Sequence, residues 1–163
     1  MLSKVVQDAI NEQIKNELYS AYLYLSMAAH CAAANLPGFA HWMQAQSQEE
    51  VGHAMKFFEF VYDRGGRVVL QAIDQPPVDF QSPLDVFQQT LEHEQKVTAM
   101  IHQLYGLAVK ENDYATQTFV QWFVTEQVEE EKNASQIVEQ LKMVGDHTAA
   151  LFMIDGHLGK RGN

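Results

Sequence analysis

Four long stretches of this chain repeat apolar residues at helical spacing, and each repeat is broken by a carboxylate. The first stripe runs Ile10, Ile14, Glu17, Ala21, Tyr24 and Ala28. The second runs Phe39, Trp42, Met43, Gln46, Glu50, His53, Phe57 and Phe60. Phe87, Leu91, Glu94, Val97, Ile101, Leu104 and Ala108 form the third, and Phe119, Phe123, Gln127, Glu130, Ala134, Ile137 and Leu141 the fourth. Four such stripes pack as an all-α bundle with their apolar faces inward, which puts Glu17, Glu50, His53, Glu94 and Glu130 into its core. A buried carboxylate without a partner is costly unless it takes up a proton, so one on each helix calls for a shared positive charge. A pair of metal ions between the helices supplies it.

The punctuation between stripes sets the order of the bundle. Pro37 and Gly38 are expected to end the first helix, Arg64-Gly65-Gly66 the second, and Gly145 the fourth; Asn112 and Asp113 break the third and cap the fourth. From Gly65 to Ser82 the chain holds Pro76 and Pro77 and reads as extended. At roughly 3.3 Å per residue this segment reaches about 55 Å, whereas a helix of about 26 residues is about 40 Å long. It therefore crosses the whole bundle, and helices two and three run parallel. A final segment, His147 to Leu158, is too short for a fifth bundle member, so it forms a short C-terminal helix. Its Leu151, Phe152, Met153, Ile154 and Leu158 need a surface, which a neighbouring subunit supplies if the end of its own bundle does not.

The chain's 163 residues show no shift in composition and suit one domain spanning 1–163. A net charge of −10 argues against nucleic acid and favours attraction of cations. The single cysteine, Cys31, makes no intrachain disulfide, consistent with a reducing compartment. Residues 1–17 lack the apolar core of a secretory signal, and no run approaches the roughly 20 apolar residues of a membrane span. A soluble, cytoplasmic protein is the expectation.

A Glu-x-x-His pair such as Glu50 and His53 is common by chance; its weight comes from the carboxylates on the other three helices. Carboxylates with one imidazole suit iron, manganese or zinc, and no thiolate is present among them to favour structural zinc. On helix four, Gln127 and Glu130 stand where a second Glu-x-x-His would complete a symmetrical di-iron set, which leaves the second metal position weaker and more open. Tyr24 lies two turns beyond Glu17 and faces the same interior, as a core tyrosine or as a partner of the metals. Trp122 sits just off the stripe centre, where it could donate an electron but core packing is the expectation. Glu49, Glu126 and Glu129 flank the inward positions and read as a solvated charged face. His30, His93 and His102 show no ligand spacing and are taken as structural.

The segment Asn16-Glu17-Leu18-Tyr19-Ser20-Ala21-Tyr22-Leu23-Tyr24, together with Glu49-Glu50-Val51-Gly52-His53-Ala54, resembles the first- and second-helix motifs of the bacterial non-haem ferritins. The resemblance covers nearly the whole chain. It implies a first ferroxidase iron site of Glu17, Glu50 and His53, and a second of Glu50, Glu94 and Glu130, with Glu50 bridging. Gln127 matches the family's glutamine near the second iron. Glu49, Glu126 and Glu129, with Glu130, match a third iron site. The same resemblance implies a homo-oligomeric hollow shell of twenty-four subunits with the short C-terminal helix near its four-fold axes. Val51 stands where bacterioferritins carry a haem-ligating methionine, so no haem is expected.

The function expected is iron storage. Fe(II) would be oxidised at the two-iron ferroxidase centre, with oxygen or hydrogen peroxide as acceptor, and kept as an Fe(III) mineral inside the shell. A di-metal redox enzyme acting on a small substrate, and a plain bundle with protonated inward carboxylates, are the competing readings.

Overall fold

The computed structural model describes residues 1–162, which fold as α1 (Lys4–Ala33), α2 (Pro37–Asp63), α3 (Pro83–Lys110), α4 (Tyr114–Val144) and α5 (Thr148–Leu158). No strand occurs among the described residues. Side-chain caps open most of the helices and satisfy otherwise orphaned amides. Ser3 accepts from Val6 N, Ser82 from Asp85 N, Asp113 from Thr116 N, and the His147 imidazole from Ala150 N. The first boundary differs from the sequence expectation. α1 has already ended at Ala33, where Asn35 takes a left-handed φ of 61° and Leu36 N returns to the Cys31 carbonyl at 3.0 Å. Pro37 then opens α2, because proline lacks only an amide that the first turn leaves unpaired.

Contacts between helices fix their directions. Ser47 Oγ donates to the Ala21 carbonyl and His53 faces Glu17, while Tyr24 donates to Glu94 and Thr90 to Met27, so α2 and α3 both run antiparallel to α1 and hence parallel to each other. α4 lies antiparallel to α3, with Gln117 donating to the Ala108 carbonyl near their loop and Gln127 donating to Glu94 farther along. The parallel arrangement is made possible by the extended residues 64–82, which lie along α1. Gln7 Oε1 accepts from Arg67 N, Asn11 accepts from Val69 N and donates to the Arg67 carbonyl, and Ser26 donates to the Pro77 carbonyl.

Two apolar clusters fill the bundle. One gathers Tyr24, Met27, Trp42, Met43, Phe87, Ile137 and Leu141; the other gathers Ile10, Ile14, Phe57, Val97, Ile101, Val120 and Phe123. On every long helix the inward carboxylate falls between them: Glu17 between Ile14 and Tyr24, Glu50 between Met43 and Phe57, Glu94 between Phe87 and Val97, Glu130 between Phe123 and Ile137. The core is thus two apolar blocks separated by a polar layer.

α5 divides its apolar residues between two destinations. Leu158 is buried, and Leu151 and Ile154 pack against the first cluster of the same chain. Its Asp155 carboxylate accepts from Gly38 N and Phe39 N at 2.9 and 3.0 Å, capping α2. Position 38 has to be glycine, since a Cβ there would fall 1.7 Å from the Asp155 carbonyl oxygen. Phe152 and Met153 instead face outward, 58% and 77% exposed.

Candidate metal centre

All five inward polar residues of the sequence reading, Glu17, Glu50, His53, Glu94 and Glu130, are buried in the polar layer, with Gln127 beside them. One ligand atom from each of Glu17, Glu50 and His53 lies within 4.8 Å of the others, and the same holds for Glu50, Glu94 and Glu130. Glu50 belongs to both sets. His53 Nδ1 lies 3.1 Å from Glu50 Oε2 and 4.0 Å from Glu17 Oε2.

Hydrogen bonds hold the carboxylates in different ways. Gln13 donates to Glu17 Oε1 at 3.0 Å, but Glu17 Oε2 has no partner and is alone in this among the buried side-chain polar atoms of the described residues. Gln46 donates to Glu50 Oε1 at 3.3 Å and to Glu130 Oε2 at 2.7 Å, tying α2 to α4. The Tyr24 hydroxyl donates to Glu94 Oε1, and Gln127 donates to Glu94 Oε2 at 3.0 Å. Tyr24 is therefore a buried tyrosine bonded directly to one of the clustered carboxylates. His93 backs it, with ring centroids 5.8 Å apart and its Nε2 2.7 Å from Ser20 Oγ. Burial lowers the His93 pKa to about 4, which makes it a neutral structural group at ordinary pH.

Without a cation these carboxyls resist ionisation. Burial, then the facing Glu50 carboxylate, pushes Glu17 well above the ordinary carboxylate range; burial, then Glu94, does the same to Glu50. Glu130 rises to about 8, first through burial and then through Glu94. In Glu94, burial also raises the pKa, opposed by the donors Tyr24 and Gln127.

The flanking acids behave less uniformly. Glu126 joins His53 and Glu130 in a third set of ligand atoms within 4.8 Å, and burial raises its pKa. Glu49 instead pairs with Arg161, and Glu129 joins none of these sets. Trp122 departs from its expected place in the core. It is 41% exposed, with the Lys56 ammonium 3.0 Å over its ring and an edge-on contact to His53. Sequence reading passed over Gln46 and Gln13 as participants. Gln46 was visible as a polar break in the second stripe, whereas nothing in the spacing marked Gln13.

The donors fit a hard or borderline cation: several carboxylate oxygens, one imidazole, and one buried oxygen left without a partner. Fold and site together define a carboxylate-rich four-helix bundle of the metal-binding class. A ferritin-like domain matches residues 7–144, and the chain belongs to the ferritin family. It is 45% identical over 161 residues to a bacterial non-heme ferritin of Bacteroides fragilis (strain 638R), covering 99% of this chain and all of the relative. Against a bacterial non-heme ferritin of Staphylococcus aureus (strain NCTC 8325 / PS 47) it is 37% identical, covering 99% of this chain and 97% of the relative. Among solved structures, the open pore ferritin of the hyperthermophilic archaeon Archaeoglobus fulgidus superposes with a TM-score of 0.99 at 49% identity, over 99% of this chain and 100% of that one. A humanized archaeal ferritin gives 0.98 at 48% identity, over 99% and 98%.

Proposed function

We propose that the chain is an iron-storage ferritin with ferroxidase activity, its 163 residues forming one ferritin-like di-iron domain. The observation that carries this reading is Glu50, whose carboxylate is shared by two adjacent ligand sets. Fe(II) is the substrate. One ion is taken by Glu17, Glu50 and His53, the other by Glu50, Glu94 and Glu130, and Glu50 bridges them. Loading expels the protons that burial keeps on these carboxyls and gives Glu17 Oε2 its missing partner.

Two Fe(II) ions side by side deliver two electrons together. Hydrogen peroxide takes them with two protons to give two waters; oxygen takes them with two protons to give peroxide. Tyr24 and Gln127 orient Glu94 in this step through their hydrogen bonds, and Tyr24 supplies a further electron when one is needed. The weaker support on α4, with Gln127 and Glu130 in place of a second Glu-x-x-His, lets the ferric product leave. Glu126, Glu129, Glu130 and Glu49 receive it as a third iron position on the way to a mineral store. A homo-oligomeric shell of twenty-four copies encloses that store, and the exposed Phe152 and Met153 of α5 belong to its subunit contacts. No haem takes part, nucleic acid and membrane are not partners, and the shell works in the cytoplasm; no described helix is long and apolar enough to cross a membrane.

Stopped-flow oxidation of Fe(II) tests the assignment. Replacing Glu50 and His53 together by Ala removes groups from both sets and should abolish the rapid phase. An unchanged initial rate would overturn it. Iron far above two per subunit, eluting with a large assembly, is expected of a store; two or fewer on a small oligomer would point to a di-metal enzyme instead.

A further inference from the structure

Just beyond α5 the chain returns to α2 and is fastened there at Arg161. One guanidinium nitrogen reaches Glu49 Oε2 at 3.1 Å, and another donates to the Trp42 carbonyl at 3.1 Å. The guanidinium carbon also lies 4.3 Å above the Trp42 ring. His41 Nε2 meets the Arg161 carbonyl oxygen at 2.7 Å, so backbone and side chain are both anchored. The Arg161 side chain is 19% exposed, against 45% for that of Glu49. A planar fork stacked on an indole loses little further freedom when it takes a carboxylate, so this pair is better prepared than an ordinary surface ion pair.

Glu49 is set apart from its neighbours by this contact. Of Glu130 and the three acids that flank the inward set, Glu49, Glu126 and Glu129, Glu49 alone has a Lys or Arg at ion-pair distance among the described residues. Glu126 and Glu130 turn toward His53 and offer ligand atoms there, while Glu49 turns to Arg161. A cation that used all four acids would have to take Glu49 from the guanidinium.

We propose that Arg161 is a displaceable internal counter-ion for Glu49, and that the segment after α5 thereby sets how firmly a third metal ion is held outside the two inner positions. The inference rests on the reading of the flanking acids as a third cation position. Competition from Arg161 lowers the affinity of that position, which favours passage of an ion over its retention. Arg161 is thus a positioning residue: it acts through Glu49 and touches no substrate.

Binding of Zn(II), which does not change oxidation state, to the assembled full chain separates this effect from oxidation. Isothermal titration at low salt would follow the third ion per subunit in the wild type, Arg161→Gln, Glu49→Gln and the double variant. Arg161→Gln is expected to tighten the third ion about two- to fivefold, the scale of a part-exposed ion pair. Glu49→Gln should weaken it, and in its presence Arg161→Gln should have no further effect. Arg161→Lys, which keeps the charge and loses the fork, should fall between wild type and Arg161→Gln, and it serves if Arg161→Gln assembles poorly. If Glu49→Gln weakens the third ion but neither Arg161 variant tightens it, the counter-ion role is overturned and the third position stands. If Glu49→Gln leaves the third ion unchanged, Glu49 is not a ligand and both fall.

Discussion

The two halves of the candidate metal centre share Glu50 yet are supported in opposite ways. In the half built by α1 and α2, Glu17 Oε2 is buried with no hydrogen-bond partner, and the imidazole of His53 stands near it. In the half built by α3 and α4, both oxygens of Glu94 are occupied by Tyr24 and Gln127, and Glu130 holds Gln46. The first half is incomplete until a cation arrives; the second is already satisfied by neutral donors. A cation entering the first half relieves an unpaired oxygen, whereas one entering the second must compete with existing hydrogen bonds. The difference teaches that, in the proposed function, second-layer donors as much as the ligands would make one position tight and the other exchangeable.

Removing Glu17 is the strongest way to break that asymmetry. Glu17→Ala should weaken binding of the first ion by about 100-fold or more, at or beyond the upper end of what disturbing a metal site's supporting shell costs. Equilibrium dialysis with a divalent ion measures it, and a loss no greater than that of an equivalent change at Glu94 would show the halves to be alike.

Acidity gives the next largest contrast. Glu130 carries a pKa of about 8 against an ordinary 4.5, and Glu17 and Glu50 are also raised, so the folded metal-free chain holds protons that the unfolded chain has lost. With raised pKa values in the fold, the contribution to stability is complete below about 4.5 and fades as the pH climbs toward about 8. Thermal melts of the metal-free protein should therefore fall across that window, while the gain in Tm on adding a divalent ion should grow. A metal-free Tm that rises over this range would contradict the assignment of protonated carboxyls.

Gln46 is the joint between the halves, since it donates to Glu50 and Glu130 together. Gln46→Leu should weaken both ions by about tenfold, a size typical of lost outer support, and titration calorimetry would detect an effect confined to one ion. Smallest is Tyr24→Phe, which removes one donor from Glu94 and should cost about 1 kcal/mol of metal-free stability. Chemical denaturation checks that figure, and stopped-flow with limiting Fe(II) checks the electron donation proposed for the hydroxyl.

Much of this architecture is legible in the stripes, because a carboxylate inside an apolar row is a local signal that needs no knowledge of the partner helix. The four long helices, the long crossover and the inward set of Glu17, Glu50, His53, Glu94 and Glu130 follow from that. Pro37 misled because proline both prevents a helix from continuing and starts one well, and only the left-handed turn at Asn35 decides between them. Trp122 lies one residue from the stripe, and its ring stands part-exposed against Lys56 and His53 rather than in the core. Gln13, the anchors of the crossover on Gln7 and Asn11, and the pairing of Arg161 with Glu49 join groups whose relation exists only in three dimensions. No periodicity could have announced them.

The sharing of Glu50 has a consequence for the order in which a subunit fills. On the proposed assignment, an ion in either position would fix the Glu50 carboxylate in its ionised form and spend the cost of removing its proton. The other position then fills at lower cost, a coupling that must be reciprocal. At scarce metal the position beside Glu17 should fill first, and the Glu50 carboxylate it leaves ionised should lower the cost of filling the position beside Glu94. The second ion should therefore bind more tightly to a subunit that already holds the first than to an empty one, a difference that titration of Glu17→Ala against the wild type would measure.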